Sequence, residues 1–490
     1  MPVKLSRHAL PIISGAARIP AYDAASLTPG IVHFGVGNFH RSHQAVYLDA
    51  LFNLGLDRDW AIVGAGVRAA DGEMRSKLAA QDYLTTVVEQ DTNLSAARVT
   101  SSMIDFLPIG DAEAIIARLA DPAIRIVSLT VTEGGYYIDP ATQRFDATHP
   151  DIVADATAPA APRTVFGLIL AGLMRRRAAG VIPFTVMSCD NIPGNGHVTS
   201  NAITGLARLS DPEAAGWVEA NVAFPNSMVD RITPATSQRE RDLLANAFGI
   251  EDSWPVFCEE YTQWVLEDNF PAGRPALEKV GVQFVEAVAP FELMKIRILN
   301  GGHAAIAYPA GLLDVHFVHE ALEDAQILAF LGKLEREEVI PTVPPVPDTD
   351  LAAYYDRIER RFANPKIGDT IARLCYDGAN RQPKFILPTA LARVEAGGSV
   401  AGLALVSALW ARYCYGESDS GKAIAPNDPS WDRLQALARE AKGNPVAWLS
   451  MTDVFGELAS NPVYVASFVA ALERIWAEGT RAALAHYIAN

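Results

Sequence analysis

The chain has 490 residues, half of them hydrophobic and 20% charged, with a formal net charge of −16. That length is more than one core serves, so at least two domains are expected. The acidic balance argues against nucleic acid or an anionic membrane surface as the main partner. Four widely spaced cysteines (Cys189, Cys258, Cys375, Cys414) form no C-x-x-C pair, which argues against a disulfide framework and a structural zinc site. No apolar run approaches the ~20 residues of a membrane helix. Met1 to Pro20 lacks a secretory core with a small-residue cleavage site. A reduced, soluble, cytoplasmic protein is the expectation.

In chain order, Ile31 to Phe34, Trp60 to Val67, Ile124 to Val131 and Ile182 to Met187 read as buried strands bounded by Gly, Pro or polar residues. Helix-like stretches such as Ser42 to Leu54 and Asp111 to Leu119 fall between them. Strand–helix alternation at this spacing predicts a largely parallel sheet covered on both faces. Thr164 to Ala179 reads as a helix stopped by Gly180, with Arg175-Arg176-Arg177 as a solvated cationic last turn. After about Pro290 the texture becomes helical: Glu292 to Tyr308, Val318 to Glu338, Asp350 to Phe362, Gly402 to Tyr413, Trp431 to Glu440 and Asn461 to Trp476. Pro341 to Asp348 is a proline-rich connector. The expected architecture is an α/β domain over 1–285 and a mainly α-helical domain over 286–490, with an active-site cleft where they join.

Ile31 to His40 runs from a strand through Gly35-Val36-Gly37 into Asn38-Phe39-His40, the start of a helix. One glycine permits the tight turn and the second lets backbone approach a pyrophosphate, with the helix N-terminus beyond. His40 replaces the third glycine of the usual fingerprint, so the strand–turn–helix context has to carry the dinucleotide reading. At the end of the second strand, where a ribose reader normally sits, stand Arg68, Ala69, Ala70 and Asp71. Either Arg68 meets the 2′-phosphate of NADP, or it projects to solvent while Asp71 reaches the ribose of NAD. Thr132-Glu133-Gly134-Gly135 follows another apolar strand and reads equally as a cofactor contact or a plain turn.

A Y-x-x-x-K pair is absent, and the ten histidines form no zinc-binding cluster with acid or thiol partners. What remains is Glu292-Leu293-Met294-Lys295-Ile296-Arg297-Ile298-Leu299-Asn300-Gly301-Gly302-His303. On a regular α-helix Lys295, Asn300 and His303 fall within an arc of ~140°, and Glu292 joins that face. Gly301 and Gly302 cost ~1 kcal/mol each in a helix interior, which points to close approach of a substrate or a neighbouring domain. From periodicity alone, a core helix with a snorkelling lysine and a satisfied histidine is an equal reading.

The K-x-x-x-x-N-x-x-H spacing of Lys295, Asn300 and His303 resembles the signature of the polyol-specific long-chain dehydrogenases. The resemblance extends along nearly the whole chain, through Gly35 to Arg41, Thr132 to Tyr137, Ser188 to Asn191, Phe224 to Arg231 and Asn380 to Phe385. It implies a Rossmann-type nucleotide domain before a helical substrate domain, in a monomer. It also implies metal-independent, NAD-linked oxidation of a polyol secondary alcohol to a ketose: D-mannitol first, with D-arabinitol, D-sorbitol or D-mannonate as alternatives. Lys295 would be the general base, Asn191 and Asn300 would hydrogen-bond the developing alkoxide, and His303 would orient a hydroxyl. Glu292 would relay the proton, and Asp230, Arg373 and Arg381 would contact the remaining hydroxyls. Gly35, Gly37, Asn38, Phe39, His40, Arg68, Thr132 and Glu133 would form the cofactor site, with NADP left open by Arg68. A free lysine titrates near ~10.4, so such a base needs burial and a cationic neighbour to act near neutrality. A catalytically silent nucleotide-binding protein is the reading from another class; Lys295, Asn300, His303 and Asn191 together argue against it.

Overall fold

Five largely apolar strands form the central sheet, whose two faces are both covered. They are β1 (Pro29–Phe34), β2 (Ala61–Ala65), β3 (Met103–Phe106), β4 (Ile126–Leu129) and β5 (Thr185–Ser188). In the computed structural model they pair in parallel in the order β3-β2-β1-β4-β5, the doubly wound order of dinucleotide-binding sheets. β1 is central, and the order reverses between β1 and β4, so the loops leaving those two strands flank the crevice where such sheets bind ligands. Residues 1–139, 142 and 144–490 are described, and the chain divides into two units, Met1–Ala289 and Pro290–Asn490.

In the first unit, apolar clusters fill both faces of this sheet. One is built around Phe34, Leu129, Phe166 and Leu173, the other around Ile31, Leu51, Ile62 and Trp264. Helices on these faces include α1 (Asn38–Ser42), α2 (Ala69–Ala79), α3 (Val165–Ala179) and α4 (Asn195–Ser210). Three smaller sheets went unread in the sequence. They join Thr85–Gln90 to Ser95–Thr100 and Val256–Glu259, Ser227–Asp230 to Gln263–Glu267 and Gln283–Val285, and Val3–Lys4 to Ile250–Glu251. Their strands mix apolar with polar and charged residues, as in Thr85–Gln90 and Gln263–Glu267. Thr164 caps α3 and Gly180 closes it at φ +67, as expected. The arginine run is not uniformly solvated, however. Arg176 is fully buried and donates to the carbonyls of Leu119, Asp121, Ile124 and Ile182. Arg175 and Arg177 pair with Glu113 and Glu213.

The second unit is helical throughout its named elements. Its first helical run is α5 (Ala289–Met294), a π-helical turn over Lys295–Asn300, and α6 (Gly301–Leu312). The expected helix over Val318 to Glu338 is broken at Asp324, whose carboxylate caps the segment starting at Ala325. That run too ends in a π-turn, Glu335–Val339. The four cysteines are buried and unbridged. Among the described residues no helix is long and apolar enough to cross a membrane.

Candidate active site

The turn after β1 is built around Gly35 at φ +93, a conformation L side chains avoid. A Cβ there would overlap the Thr130 carbonyl at the end of β4, so only glycine lets the two loops pack this closely. Gly37 has the opposite surroundings: only the Gly35 oxygen, at 3.8 Å, lies within reach of a Cβ. It is exposed, and the bare backbone there suits a phosphate-bearing ligand.

The next side chains face inward. Asn38 donates to the Pro234 carbonyl (3.1 Å) and Thr236 (3.0 Å) and accepts from Arg41 (2.9 Å). Phe39 stacks on His43 at 4.8 Å. His40, in the third-glycine position, is 1% exposed and stacks on His33 at 3.5 Å. Burial pushes His33 down to about 3 and His40 well below its ordinary value, so both are neutral. His40 therefore shapes the turn from behind, while Asn38 and Phe39 are half-buried beside the open backbone of Gly37.

At the end of β2 the open choice between Arg68 and Asp71 is narrowed. Asp71 turns back to accept from the backbone N–H of Val67 (3.0 Å) and Arg68 (2.9 Å), capping α2, and its side chain is 15% exposed. It occupies the space a Cβ on Gly66 would take. Arg68 is 68% exposed and pairs only loosely with Asp71, at 3.6 Å. The group presented to solvent at this strand end is thus cationic.

After β4 the chain enters a turn, Glu133–Tyr136, through Thr132 at φ +66, ψ 165. Thr132 and Glu133 are exposed there. Asp190, at the end of β5, accepts from the N–H of Val131 (2.9 Å) and Thr132 (2.8 Å) and from the Tyr136 hydroxyl (2.7 Å). Asn191 follows it and is exposed. Asp230 ends the strand Ser227–Asp230 and is buried.

In the second unit, Lys295 opens the π-turn and Asn300 closes it. The Gly301 N–H reaches the Ile296 carbonyl five residues back, the bond that defines a π-turn. Five residues on an α-helix would place Lys295 and Asn300 ~140° apart; one π-turn instead brings them onto the same face. The regular-helix reading of this stretch is corrected here, and the correction tightens the constellation. Lys295 is 7% exposed, and the Asn300 Oδ1 is a buried acceptor with no hydrogen bond among the described residues. Glu292 is half-buried on α5, three residues before Lys295.

His303 stacks face to face on Phe362 at 3.9 Å. Burial, then the nearby guanidinium groups of Arg373, Arg381 and Arg361, hold it well below its ordinary value and neutral. Arg373 and Arg381 thus lie within electrostatic reach of His303. Arg373 forms a two-pronged pair with Asp369, whereas the Arg381 Nε is buried without a hydrogen bond.

Gly301 and Gly302 have a local explanation. A Cβ on Gly301 would lie 3.4 Å from the Phe385 carbonyl, and one on Gly302 would lie 3.1 Å from Glu335 Oε1. The close approach is to side chains and backbone of this same unit. Glu335 itself was missed in the sequence; its only signal was a carboxylate on the apolar face of a helix. It is fully buried, and neither carboxylate oxygen has a hydrogen bond among the described residues. Burial raises its carboxyl well above the usual range, so the folded chain favours the neutral acid. Folding stability from this group is full below the unfolded carboxyl's pKa and is lost as pH rises toward the raised folded value. Glu335→Gln, neutral at every pH, is expected to melt close to the parent at pH 4 and progressively above it toward pH 8. Thermal melts across that range check this; a constant offset would refute it.

Residues 29–279 match the model of the mannitol dehydrogenase Rossmann domain, and residues 287–476 match that of the mannitol dehydrogenase C-terminal domain. The chain belongs to the mannitol dehydrogenase family. Among relatives of this family, a mannitol 2-dehydrogenase of Cereibacter sphaeroides is 60% identical over 96% of this chain and 98% of its own length. One from Neosartorya fischeri is 42% identical over 99% of both. Of solved structures, the Pseudomonas fluorescens mannitol 2-dehydrogenase ternary complex with NAD and D-mannitol superposes with a TM-score of 0.87, at 43% identity and full coverage of both chains. A D-sorbitol dehydrogenase in substrate-free form gives 0.91 at 35% identity, over 98% of this chain and 100% of that one. The N-terminal Rossmann-type domain and mainly helical C-terminal domain expected from the sequence are those of the mannitol dehydrogenase family.

Proposed function

We propose that the chain oxidises D-mannitol to D-fructose with NAD⁺, using Lys295 as general base. One observation carries this reading: full-length similarity, at 43% identity, to a dehydrogenase whose solved structure holds NAD and D-mannitol. The open backbone at Gly37 and the strand order behind it fit a dinucleotide, which when bound accepts the hydride. The protein's own groups do the rest. Lys295 takes the hydroxyl proton, and the amides of Asn300 and Asn191 stabilise the alkoxide as the C–H bond breaks. Neutral His303, held flat against Phe362, offers a ring nitrogen to a substrate hydroxyl without adding charge. Asp230, Arg373 and Arg381 are assigned to the outer hydroxyls, and Glu292 to passing the proton on from Lys295.

A second polyol is favoured by the 0.91 superposition on a D-sorbitol dehydrogenase. Steady-state rates with D-mannitol, D-sorbitol, D-arabinitol and D-mannonate, each with NAD⁺ and NADP⁺, separate these readings. D-mannitol with NAD⁺ is expected to give the highest kcat/KM; a preference for another polyol would overturn the substrate assignment. Because Asp71 is engaged in capping α2 and Arg68 is exposed, Arg68→Ala should lower kcat/KM for NADP⁺ about tenfold, the scale of one charged contact. With NAD⁺ the same variant should stay within about twofold. Equal effects on both cofactors would show that Arg68 does not read the 2′ position.

A further inference from the structure

Three sequence blocks of the first unit are tied together around Asp190: Thr132 to Tyr137 at its carboxylate, and Phe224 to Arg231 through Asn195 at its backbone. Thr132 sits at φ +66, ψ 165, a region populated almost only by glycine and unusual for a β-branched residue. Such a backbone persists only where its surroundings over-determine it. Here Asp190 does so. Its two oxygens take the N–H groups of Val131 and Thr132, one oxygen each, and the Tyr136 hydroxyl closes on Oδ2 from the far end of the turn. Tyr136 is held in turn by Ser188, at 2.6 Å. Asp190 is also fixed from behind. Its carbonyl accepts from the Asn195 side chain (3.0 Å), and that buried amide exchanges hydrogen bonds with the backbone of Ser227, at 2.9 and 2.8 Å.

We propose that Asp190 is a positioning residue of this dehydrogenase: one carboxylate holds the Thr132–Glu133 turn in its strained conformation, and the same anchored backbone fixes where Asn191 stands. The turn lies at the end of β4, beside the Gly35 turn, so its conformation bears on dinucleotide affinity. Asn191 bears on the alkoxide. The proposal rests on the roles given above to these two sites.

Asp190→Asn keeps the shape but replaces one acceptor with an amide NH₂ facing a backbone N–H, so Thr132 is free to leave its strained backbone. NAD⁺ affinity, measured by quenching of intrinsic fluorescence without polyol, should weaken about tenfold, as when only a tenth of the molecules remain binding-competent. The kcat on D-mannitol should fall about 100-fold, the scale of losing one oxyanion donor. Adding Thr132→Gly, which removes the steric objection to positive φ, should restore NAD⁺ affinity to within about threefold of the parent while kcat stays low. If Asp190→Asn fails to fold, Tyr136→Phe loosens the same clamp more gently, and Thr132→Gly should again recover the affinity. Unchanged Kd and kcat in Asp190→Asn would overturn the proposal. So would losses that follow a fall in Tm and show no recovery with Thr132→Gly. Asn191→Ala, assayed alongside, should lower kcat with Kd unchanged. If it keeps full kcat while the Thr132→Gly recovery is seen, the alkoxide role of Asn191 is what fails, not the clamp.

Discussion

Lys295→Ala is expected to lower kcat on D-mannitol by about 10³–10⁴-fold while leaving the NAD⁺ dissociation constant within about threefold of the parent. The side chain is 7% exposed, at the head of a π-turn whose far end is Asn300. On the role proposed for it, removing this side chain costs proton transfer at the transition state, whereas the dinucleotide is assigned to the turn after β1. The pH dependence of kcat supplied by the base should vanish in the same variant. Single-turnover rates read by reduced-nicotinamide absorbance, together with the binary-complex Kd, make the test. A variant with near-parental turnover would remove Lys295 from the chemistry and revive the reading of a snorkelling core lysine.

The second large effect is a contrast between two glycines two residues apart. Gly35→Ala should destabilise the protein by about 3 kcal/mol or more, because φ is +93 and the added methyl would overlap the Thr130 carbonyl. That oxygen belongs to backbone packed in the sheet, so it has little freedom to move. The melting temperature should drop by about 5 °C or more. Gly37→Ala meets almost nothing in the protein, with a single oxygen 3.8 Å away. Its melting temperature should stay within about 1 °C of the parent, but a methyl over the open backbone should weaken NAD⁺ at least about tenfold. Calorimetry and binding titrations on both variants separate the glycine the fold needs from the one the ligand needs. Equal loss of stability in both would contradict this division.

The parallel sheet was legible because strands buried on both faces are largely apolar, and Ile31 to Phe34 and Ile126 to Leu129 carry that signature with one polar residue each, His33 and Ser128, which hydrogen-bond to each other. Helical caps were legible for a similar local reason: Thr164 and Gly180 act on their own helix. The small sheets around Thr85–Gln90 and Ser227–Asp230 were not, since their strands mix polar with apolar residues and each needs a partner from far away in the chain, Val256–Glu259 or Gln263–Glu267. Arg176 shows the same limit. Its neighbours Arg175 and Arg177 are ordinary surface cations, and only the fold supplies the four carbonyls that make its burial tolerable.

For the site, residue types drew attention to Glu292 to His303 and the Gly35 turn, but spacing alone left a core helix as an equal reading, and the roles of Lys295, Asn300 and His303 came from the family resemblance. Whether Lys295 and Asn300 share a face was decided by the π-turn, which depends on how the helix packs and leaves no periodic trace. The close fit of Gly302 to Glu335 and the Asp190 clamp on Thr132 were likewise decided by tertiary structure. Each joins groups whose meeting depends on packing and backbone angles, and these are properties of the folded chain, not of any local stretch of sequence.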